Sequence, residues 1–297
     1  MAITGIDAIV FGVEDMGGAC RFFEDFGLTP LEREEDGSRY RTANGVEMIL
    51  RRAGDPTLPA AVTDGPGVRE IVWGVDGSGD IEALGAELAR DRPIGQTPDG
   101  VIHAFDDDGY GIAFRRSSLR PIESPPAAQN VFGGPLGRPV NARVNFDQPV
   151  LPIGVGHVVL FTPEVARAAD FYLNRLGFRI SDSFREGRGS FLRAPGSSEH
   201  HNLFLMRREE KGLHHVAFHV RGIDEVMIGG LSMVGKGWST KHGPGRHRIA
   251  SSYFWYFDSP CGGAMEYSAD SDRADENWEA REWDFLPTNT AVWLARA

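Results

Sequence analysis

Short apolar stretches that predict strands recur at matching places in the two halves of the chain. Residues 6–11 and 155–160 are rich in apolar and β-branched side chains broken by single polar residues, which is typical of strands. Apolar residues at helical spacing follow, and in the second half these are Val165, Ala168, Ala169, Tyr172 and Leu176. Gly177 then fits a left-handed C-terminal cap. Each half therefore opens with a strand, a helix packed by one face, and further short strands.

A second strand–helix unit begins later in each half. The predicted strands cover residues 68–73 and 213–218, and the predicted helices cover 81–90 and 223–234. Further short strands close each unit. The sequence therefore predicts an α+β protein made of four βαβββ units that pair into two domains.

A stretch rich in proline and glycine separates the two halves. Such a composition is typical of a linker, and it places the predicted linker at residues 121–149. The predicted N-terminal domain covers residues 1–120 and the C-terminal domain residues 150–297. Each is long enough to bury a core of its own.

Composition narrows the functional classes. The 31 basic and 42 acidic residues give a net charge of −11 without a basic stripe, so we expect no nucleic-acid partner. We expect no membrane partner either, because no apolar run approaches the roughly 20 residues that cross a bilayer. No secretory signal pattern opens the sequence. The two cysteines, Cys20 and Cys261, fit a reducing cytoplasm rather than a disulfide framework.

Three polar residues of the second half, His157, His215 and Glu266, lie within or beside predicted strands. Two neutral imidazoles and one carboxylate can hold a divalent iron and leave the opposite face open to substrate and oxygen. Taken singly, each has an ordinary alternative: a strand histidine is usually satisfied by one hydrogen bond, and a strand glutamate is often solvated. Strand alternation places His215 on one face and its neighbour His214 on the other. The three together predict a metal site.

The two halves differ at the positions of these candidate ligands. At offsets of 150, 145 and 152 residues, the first half carries Asp7, Glu70 and Phe114. None of these three residues is the same as the residue that the second half carries at the matching position. We therefore expect one metal site per chain, in the C-terminal domain.

With these motifs the chain resembles the type I extradiol ring-cleavage dioxygenases of the vicinal oxygen chelate superfamily, over essentially its whole length. The resemblance implies two tandem vicinal-oxygen-chelate domains, each a curved mixed sheet with flanking helices. It implies that His157, His215 and Glu266 hold Fe(II), with Mn(II) as the other candidate ion. It also implies that His201, 14 residues before His215, is the acid/base residue.

The resemblance assigns roles on the substrate side as well. His247 and Tyr256, 19 and ten residues before the glutamate, match residues that hydrogen bond to bound substrate or oxygen. His200, next to His201, is expected to lie behind the site. His242 stands where one branch of the family carries an arginine for a substrate carboxylate. The implied partners are a catecholic substrate and O2, and the implied assembly is a homo-oligomer.

Other functions use the same scaffold. Glyoxalase-like isomerases and lyases bind a metal without an acid/base histidine at position 201, and hydroxyphenylpyruvate-type oxygenases have a longer C-terminal region. A protein that sequesters small molecules would need no metal triad. His201, His247 and Tyr256 favour extradiol cleavage of a catechol to a ring-opened semialdehyde or keto acid. The sequence leaves open whether that catechol is monocyclic, bicyclic or larger.

Overall fold

The computed structural model of the chain describes residues 3–123 and 129–295. The predicted linker residues 124–128 and the terminal residues 1–2 and 296–297 lie outside the described residues. Within the described part, two mixed β-sheets follow one another along the chain. No helix of these two ranges is long and apolar enough to cross a membrane.

The first sheet has eight strands. They are β1 (Ile3–Val13), β2 (Thr29–Arg33), β3 (Gly37–Arg41), β4 (Glu47–Arg52), β5 (Gly67–Val75), β6 (Gly95–Gln96), β7 (Ile102–Phe105) and β8 (Gly111–Arg116). Their order is β2-β3-β4-β1-β5-β8-β7-β6, with β1 and β5 antiparallel at the centre. Helix α1 (Met16–Asp25) follows β1, and α2 (Ser78–Leu88) follows β5.

The second sheet has ten strands. They are β9 (Gly154–Thr162), β10 (Arg179–Phe184), β11 (Gly189–Arg193), β12 (Leu203–Arg207), β13 (Gly212–His219), β14 (Thr240–His247), β15 (Tyr253–Asp258), β16 (Ala264–Ala269), β17 (Arg281–Trp283) and β18 (Ala291–Leu294). Their order is β17-β10-β11-β12-β9-β13-β16-β15-β14-β18. Its helices are α3 (Val165–Asp170), α4 (Ile223–Gly235) and α5 (Pro287–Thr290).

The element order confirms the predicted α+β fold of four βαβββ units. The helix predicted to end near Gly177 differs in detail, because α3 stops at Asp170 and Phe171–Arg175 form a π-helical turn. This wider turn carries both Phe171 and Tyr172 into the core. Gly177 then adopts the predicted left-handed conformation, with φ of 75°.

Aromatic side chains join the two halves through a shared core. Phe26, at the end of α1, stacks on Tyr267 of β16 with ring centroids 4.0 Å apart. Phe178 of the second half packs edge-on against Trp73 of β5 at 5.2 Å. Each half therefore inserts an aromatic residue against the sheet of the other half, which holds the second sheet firmly on the first.

Residues after β16 extend the second sheet at both of its edges. β17 pairs with β10 at one edge, and β18 pairs with β14 at the other. The C-terminal tail, residues 271–295, thus runs from one edge strand of this sheet to the other. Its position matters because the candidate ligands lie on strands between these two edges.

Candidate metal centre and substrate cavity

Three neighbouring strands in the middle of the second sheet bring the candidate ligands together. His157 of β9 pairs with Ala217 of β13, which pairs with Glu266 of β16, and His215 precedes Ala217 by two residues. The Nε2 atoms of His157 and His215 are 3.0 Å apart. Oε2 of Glu266 lies 3.7 Å from Nε2 of His157 and 3.2 Å from Nε2 of His215. Among the described residues, this is the one group of His, Cys, Asp or Glu found with ligand atoms close enough to share a metal ion.

The atoms of this group lack the partners that buried polar atoms require. Neither carboxylate oxygen of Glu266 makes a hydrogen bond of good geometry. Burial raises the pKa of Glu266 well above its usual value, and the nearby Tyr256 hydroxyl offsets only part of that rise. Burial also lowers the pKa of His157 and of His215, so both rings are neutral. Two facing Nε2 lone pairs at 3.0 Å repel unless a cation or a proton lies between them. A divalent cation would satisfy all three side chains, and the residues therefore fit a metal site.

His214 departs from the predicted strand alternation. In the pairing of β13 with β9, Leu213 lies opposite Leu160 and His215 opposite Val159, so His214 is an extra residue in a bulge. The bulge brings Nδ1 of His214 to 2.6 Å from Nδ1 of His215, and both rings line the same cavity. The prediction that His214 faces away was wrong, because one extra residue re-aims the side chains of a strand. A contact to the outer nitrogen of a ligand histidine fixes the orientation of that ring.

His201 lies beside the candidate ligands, on the loop that precedes β12. Its ring centroid is 4.0 Å from that of His157, and it lines the cavity. Burial lowers the pKa of His201 well below its usual value, which leaves a neutral ring able to accept a proton. His200 instead lies behind the cavity wall, against Asp182 and the indole of Trp278. Of the two adjacent histidines, the structure brings His201 to the ligands.

Tyr256 and His247 form a pair at another wall of the cavity. The Tyr256 ring lies 4.9 Å from the ring of His215, and its hydroxyl is 3.0 Å from Nε2 of His247. Nδ1 of His247 lies 2.8 Å from the carbonyl oxygen of Thr290, which can only accept, so Nδ1 carries the proton. Burial lowers the pKa of His247 to about 4, so its Nε2 is unprotonated at neutral pH. His247 therefore accepts a hydrogen bond from Tyr256, whereas the sequence led us to expect it to donate one to the substrate.

A cavity of about 400 Å³ opens beside these side chains, and most of its remaining wall is apolar. Phe191 and Phe204 stack with ring centroids 4.0 Å apart, and Phe184 meets Phe285 of the tail edge-on at 5.0 Å. The other apolar lining residues are Val159, Met206, Ile249 and Ala250. The cavity therefore has one polar end, formed by histidines and Tyr256, and one aromatic end.

The polar end carries little fixed positive charge. His242 lines the cavity and stacks on Phe254 at 5.3 Å, and burial lowers its pKa, so its ring is neutral at neutral pH. Lys241 is the lining residue with a fixed positive charge, and its Nζ lies 3.2 Å from Oδ1 of Asp258. His242 thus lacks the permanent charge of an arginine.

The first sheet repeats the ladder of strands that carries the candidate ligands. Ala8 of β1 pairs with Val72 of β5, which pairs with Ala113 of β8. By their places in this ladder, Ala8 and Ala113 correspond to His157 and Glu266. Ala8, Val72 and Ala113 form a small apolar cluster, which offers a metal no donor atom.

Strand pairing therefore corrects two of the three equivalences taken from the sequence. The offsets selected Asp7 and Phe114, each one residue away from the alanine that occupies the ladder position. Such a slip matters because neighbours on a strand face opposite sides of the sheet. Glu70 keeps its place as the equivalent of the second histidine, and its Oε1 contacts Nδ1 of His103 at 2.8 Å.

Sequence reasoning missed the contribution of the C-terminal tail to the cavity. Phe285 and Thr290 both line it, and the Thr290 carbonyl fixes the protonated nitrogen of His247. The tail has no counterpart in the first half, so the internal comparison gave no signal for it. The available signal was the clustering of apolar residues at 285–286 and 291–294 within an otherwise polar segment.

Comparison with known proteins agrees with this geometry. The family model described as "Glyoxalase/Bleomycin resistance protein/Dioxygenase superfamily" matches residues 154–267. Metapyrocatechase 2 of Cupriavidus necator is 33% identical over 291 residues, which cover 95% of this chain and 86% of that protein. Biphenyl-2,3-diol 1,2-dioxygenase of Paraburkholderia xenovorans is 25% identical over 292 residues, or 94% of this chain and 91% of the relative.

A solved structure shares the fold. The Mn(II)-bound glyoxalase from Novosphingobium aromaticivorans superposes with a TM-score of 0.78 at 23% identity, over 98% of this chain and 91% of the other. At this identity the likeness shows the fold alone. The one-third identity to the C. necator protein over nearly the full length shows the family. The chain belongs to the extradiol dioxygenases of the glyoxalase/bleomycin resistance protein/dioxygenase superfamily.

Proposed function

We propose that this chain is an Fe(II)-dependent enzyme that uses O2 to open the ring of a catecholic substrate beside its hydroxyl groups. The observation that carries the proposal is the buried group of His157, His215 and Glu266. Its possible ligand atoms face one another, and the carboxylate oxygens of Glu266 make no hydrogen bond of good geometry. The names of the relatives support the reaction, since one is a metapyrocatechase and the other a biphenyl-2,3-diol 1,2-dioxygenase. The metal belongs to the C-terminal domain, residues 150–297.

His157, His215 and Glu266 would hold the metal. Two neutral imidazoles and one carboxylate leave a divalent ion with about one net positive charge, which favours an anionic, bidentate diol. When bound, the metal supplies a Lewis-acidic centre that lowers the pKa of the substrate hydroxyls and brings substrate and O2 together. His214 keeps the His215 ring in place through the contact between their Nδ1 atoms.

His201 is the residue that moves protons. Its neutral ring, 4.0 Å from His157 between centroids, accepts a proton from a substrate hydroxyl and later returns it to an oxygen of the product. The Tyr256 hydroxyl donates a hydrogen bond to Nε2 of His247, so its oxygen is available to accept a hydrogen bond from the second substrate hydroxyl. The tail carbonyl of Thr290 keeps His247 in the tautomer that this arrangement needs.

The aromatic end of the cavity favours a catechol that bears an apolar or aryl substituent. Stacked Phe191 and Phe204, with Phe184 and Phe285 beside them, offer ring faces and edges to a second ring. About 400 Å³ is ample for a bicyclic diol. The neutral His242 makes a substrate carboxylate a poorer match.

The test is anaerobic loading with Fe(II), followed by oxygen uptake and visible absorbance with 2,3-dihydroxybiphenyl and with unsubstituted catechol. We expect a yellow ring-opened product, one O2 consumed per substrate, and a lower KM for the bicyclic diol. His201→Ala should bind the same amount of iron while kcat falls by roughly 10²–10⁴-fold, the usual share of a general acid/base. Bound iron without oxygen uptake on either diol would overturn the proposed reaction, and failure to bind any divalent metal would overturn the proposed site.

A further inference from the structure

Asp182 of β10 is a buried carboxylate that the proposed mechanism does not use. Its Oδ1 accepts the backbone N–H of Arg281 at 2.7 Å, and its Oδ2 accepts the indole N–H of Trp283 at 3.1 Å. Both donors belong to β17 of the C-terminal tail. Oδ2 also lies 3.4 Å from Nε2 of His200, which is itself 1% exposed. The carboxylate thus connects the tail to the histidine behind His201.

The contacts of His200 determine which of its nitrogens carries the proton. Its Nε2 is buried and makes no hydrogen bond, and Oδ2 of Asp182 lies 3.4 Å away. A proton on Nε2 is stabilised by this nearby anion, whereas a lone pair there would face negative charge in a buried site. Asp182 therefore favours the Nε2–H tautomer of His200, which leaves Nδ1 as an acceptor.

The acceptor nitrogen of His200 in turn determines the tautomer of His201. Nδ1 of His200 lies 3.0 Å from Nδ1 of His201, so His201 must donate through Nδ1–H. Its other nitrogen, Nε2, is then unprotonated. A general base needs a lone pair that the substrate can reach, and in the opposite tautomer the lone pair would lie on Nδ1, against His200.

We propose that Asp182 and His200 are positioning residues that keep the unprotonated Nε2 of His201 ready to accept the substrate proton. This inference rests on the proposed function, in which His201 is the acid/base residue. Two aromatic contacts hold the arrangement: the ring of Trp278 meets His200 edge-on at 5.2 Å, and Phe191 meets His201 edge-on at 5.0 Å. The indole N–H of Trp278 donates to the carbonyl oxygen of Ser181, next to Asp182.

The first test is a measurement of tautomers by ¹⁵N NMR on the full-length chain labelled with [¹⁵N]histidine, without added metal. The His201 signals are assigned by their loss in His201→Ala. We expect a protonated Nδ1 and an unprotonated Nε2 on His201 in the wild type. In Asp182→Asn, an amide that keeps its oxygen on the shorter Arg281 N–H contact loses the Trp283 hydrogen bond and presents its NH2 group to His200, which reverses both tautomers.

Asp25→Asn is the matched control for this substitution. The Asp25 carboxylate also accepts a tryptophan indole N–H, from Trp238 at 2.9 Å, but it lies on α1, outside the residues that line the cavity. It reports the general cost of changing such a carboxylate to an amide. We expect its His201 signals to match those of the wild type.

The second test is kinetic. In Asp182→Asn we expect kcat to fall roughly 10–100-fold with iron content and KM within about twofold of wild type, as for other residues that orient a reacting group. His200→Phe is a second variant for the case that Asp182→Asn folds poorly. It keeps the ring contacts but removes the acceptor nitrogen, and we expect the same fall in kcat with an unchanged KM. Unchanged His201 tautomers in Asp182→Asn, or kcat within twofold of wild type in both variants, would overturn the inference.

The two tests also distinguish this inference from the proposed function. A wild type that consumes no oxygen with any catechol refutes the proposed reaction, yet the NMR comparison still decides whether Asp182 sets the tautomer of His201. An active wild type whose Asp182 and His200 variants turn over normally refutes the positioning role alone.

Discussion

Replacing Glu266 by glutamine should change protein stability in opposite directions with and without metal. In the metal-free protein both carboxylate oxygens are buried without hydrogen-bond partners, and such an atom costs about 1–3 kcal/mol. The glutamine amide can donate to the Nε2 atoms of His157 and His215, which lie 3.7 and 3.2 Å from the present Oε2. We therefore expect Glu266→Gln to raise the free energy of unfolding of the metal-free protein by about 1–3 kcal/mol.

With metal bound, the wild type should have the higher free energy of unfolding of the two proteins. A metal at 1,000 times its dissociation constant stabilises the wild type by about 4.1 kcal/mol, which exceeds the gain expected for metal-free Glu266→Gln. Glutamine removes the negative charge that balances the ion, so Glu266→Gln should gain almost nothing from the same concentration. At roughly 2–4 °C per kcal/mol for a protein of this size, the Tm of the wild type should rise by about 8–16 °C on metal addition.

The assay is thermal and urea unfolding of both proteins, anaerobically, with chelator and with a series of Fe(II) or Mn(II) concentrations. Glu70→Gln is the matched control, because Glu70 is a buried carboxylate that already contacts His103 at 2.8 Å. It should lower stability with and without metal alike and leave the response to metal unchanged. A metal-free Glu266→Gln that is less stable than wild type, or one that gains as much from metal, would refute this reasoning.

Two further predictions concern other parts of the molecule. Burial raises the pKa of Asp106 to about 6 from an ordinary 3.8, so the folded state holds its proton more tightly and stability falls as pH rises from 4 to 6, by up to about 3 kcal/mol. The asparagine side chain of Asp106→Asn has no charge to gain, so the free energy of unfolding should depend less on pH in this range. An equal pH dependence in both proteins would contradict the raised pKa of Asp106. Phe285→Ala removes an edge-on contact with Phe184 and should raise KM for 2,3-dihydroxybiphenyl roughly 2–10-fold with kcat nearly unchanged. Unsubstituted catechol should show no such change, and equal effects on the two diols would argue against a second-ring site.

The arrangement of units was predictable because it follows from local pattern. Strands and helices in both halves have apolar spacing that each segment carries by itself, and the repeat made the second half a check on the first. The candidate ligands could be picked out from the sequence for the same reason, since His157, His215 and Glu266 lie in three such strands. The shared core of the two halves was not predictable, because Phe26 contacts Tyr267, which lies 241 residues later in the sequence.

Single-residue shifts were the main source of error, and they have a common physical cause. His214 lies on the cavity side because of a bulge opposite β9, and the ladder positions of the first half hold Ala8 and Ala113 rather than their neighbours. Register is set by pairing between distant strands, and a slip of one residue reverses every side chain that it affects. Local propensity contains no information about such a slip. The tautomer of His247 was likewise fixed by a carbonyl 43 residues away.

The corrected comparison of the two ladders explains why the candidate metal site lies in the second half and not in the described residues of the first. In the first sheet, the polar groups near the ladder have partners: Asp7 accepts from Arg115 and Ser117, and Glu70 contacts His103. The remaining ladder positions are alanines packed in an apolar cluster. In the second sheet, the same strands place Glu266 where neither oxygen has a hydrogen-bond partner. Because buried polar groups are normally satisfied by the fold itself, an unsatisfied carboxylate beside two neutral imidazoles supports the proposal that a divalent cation completes this site.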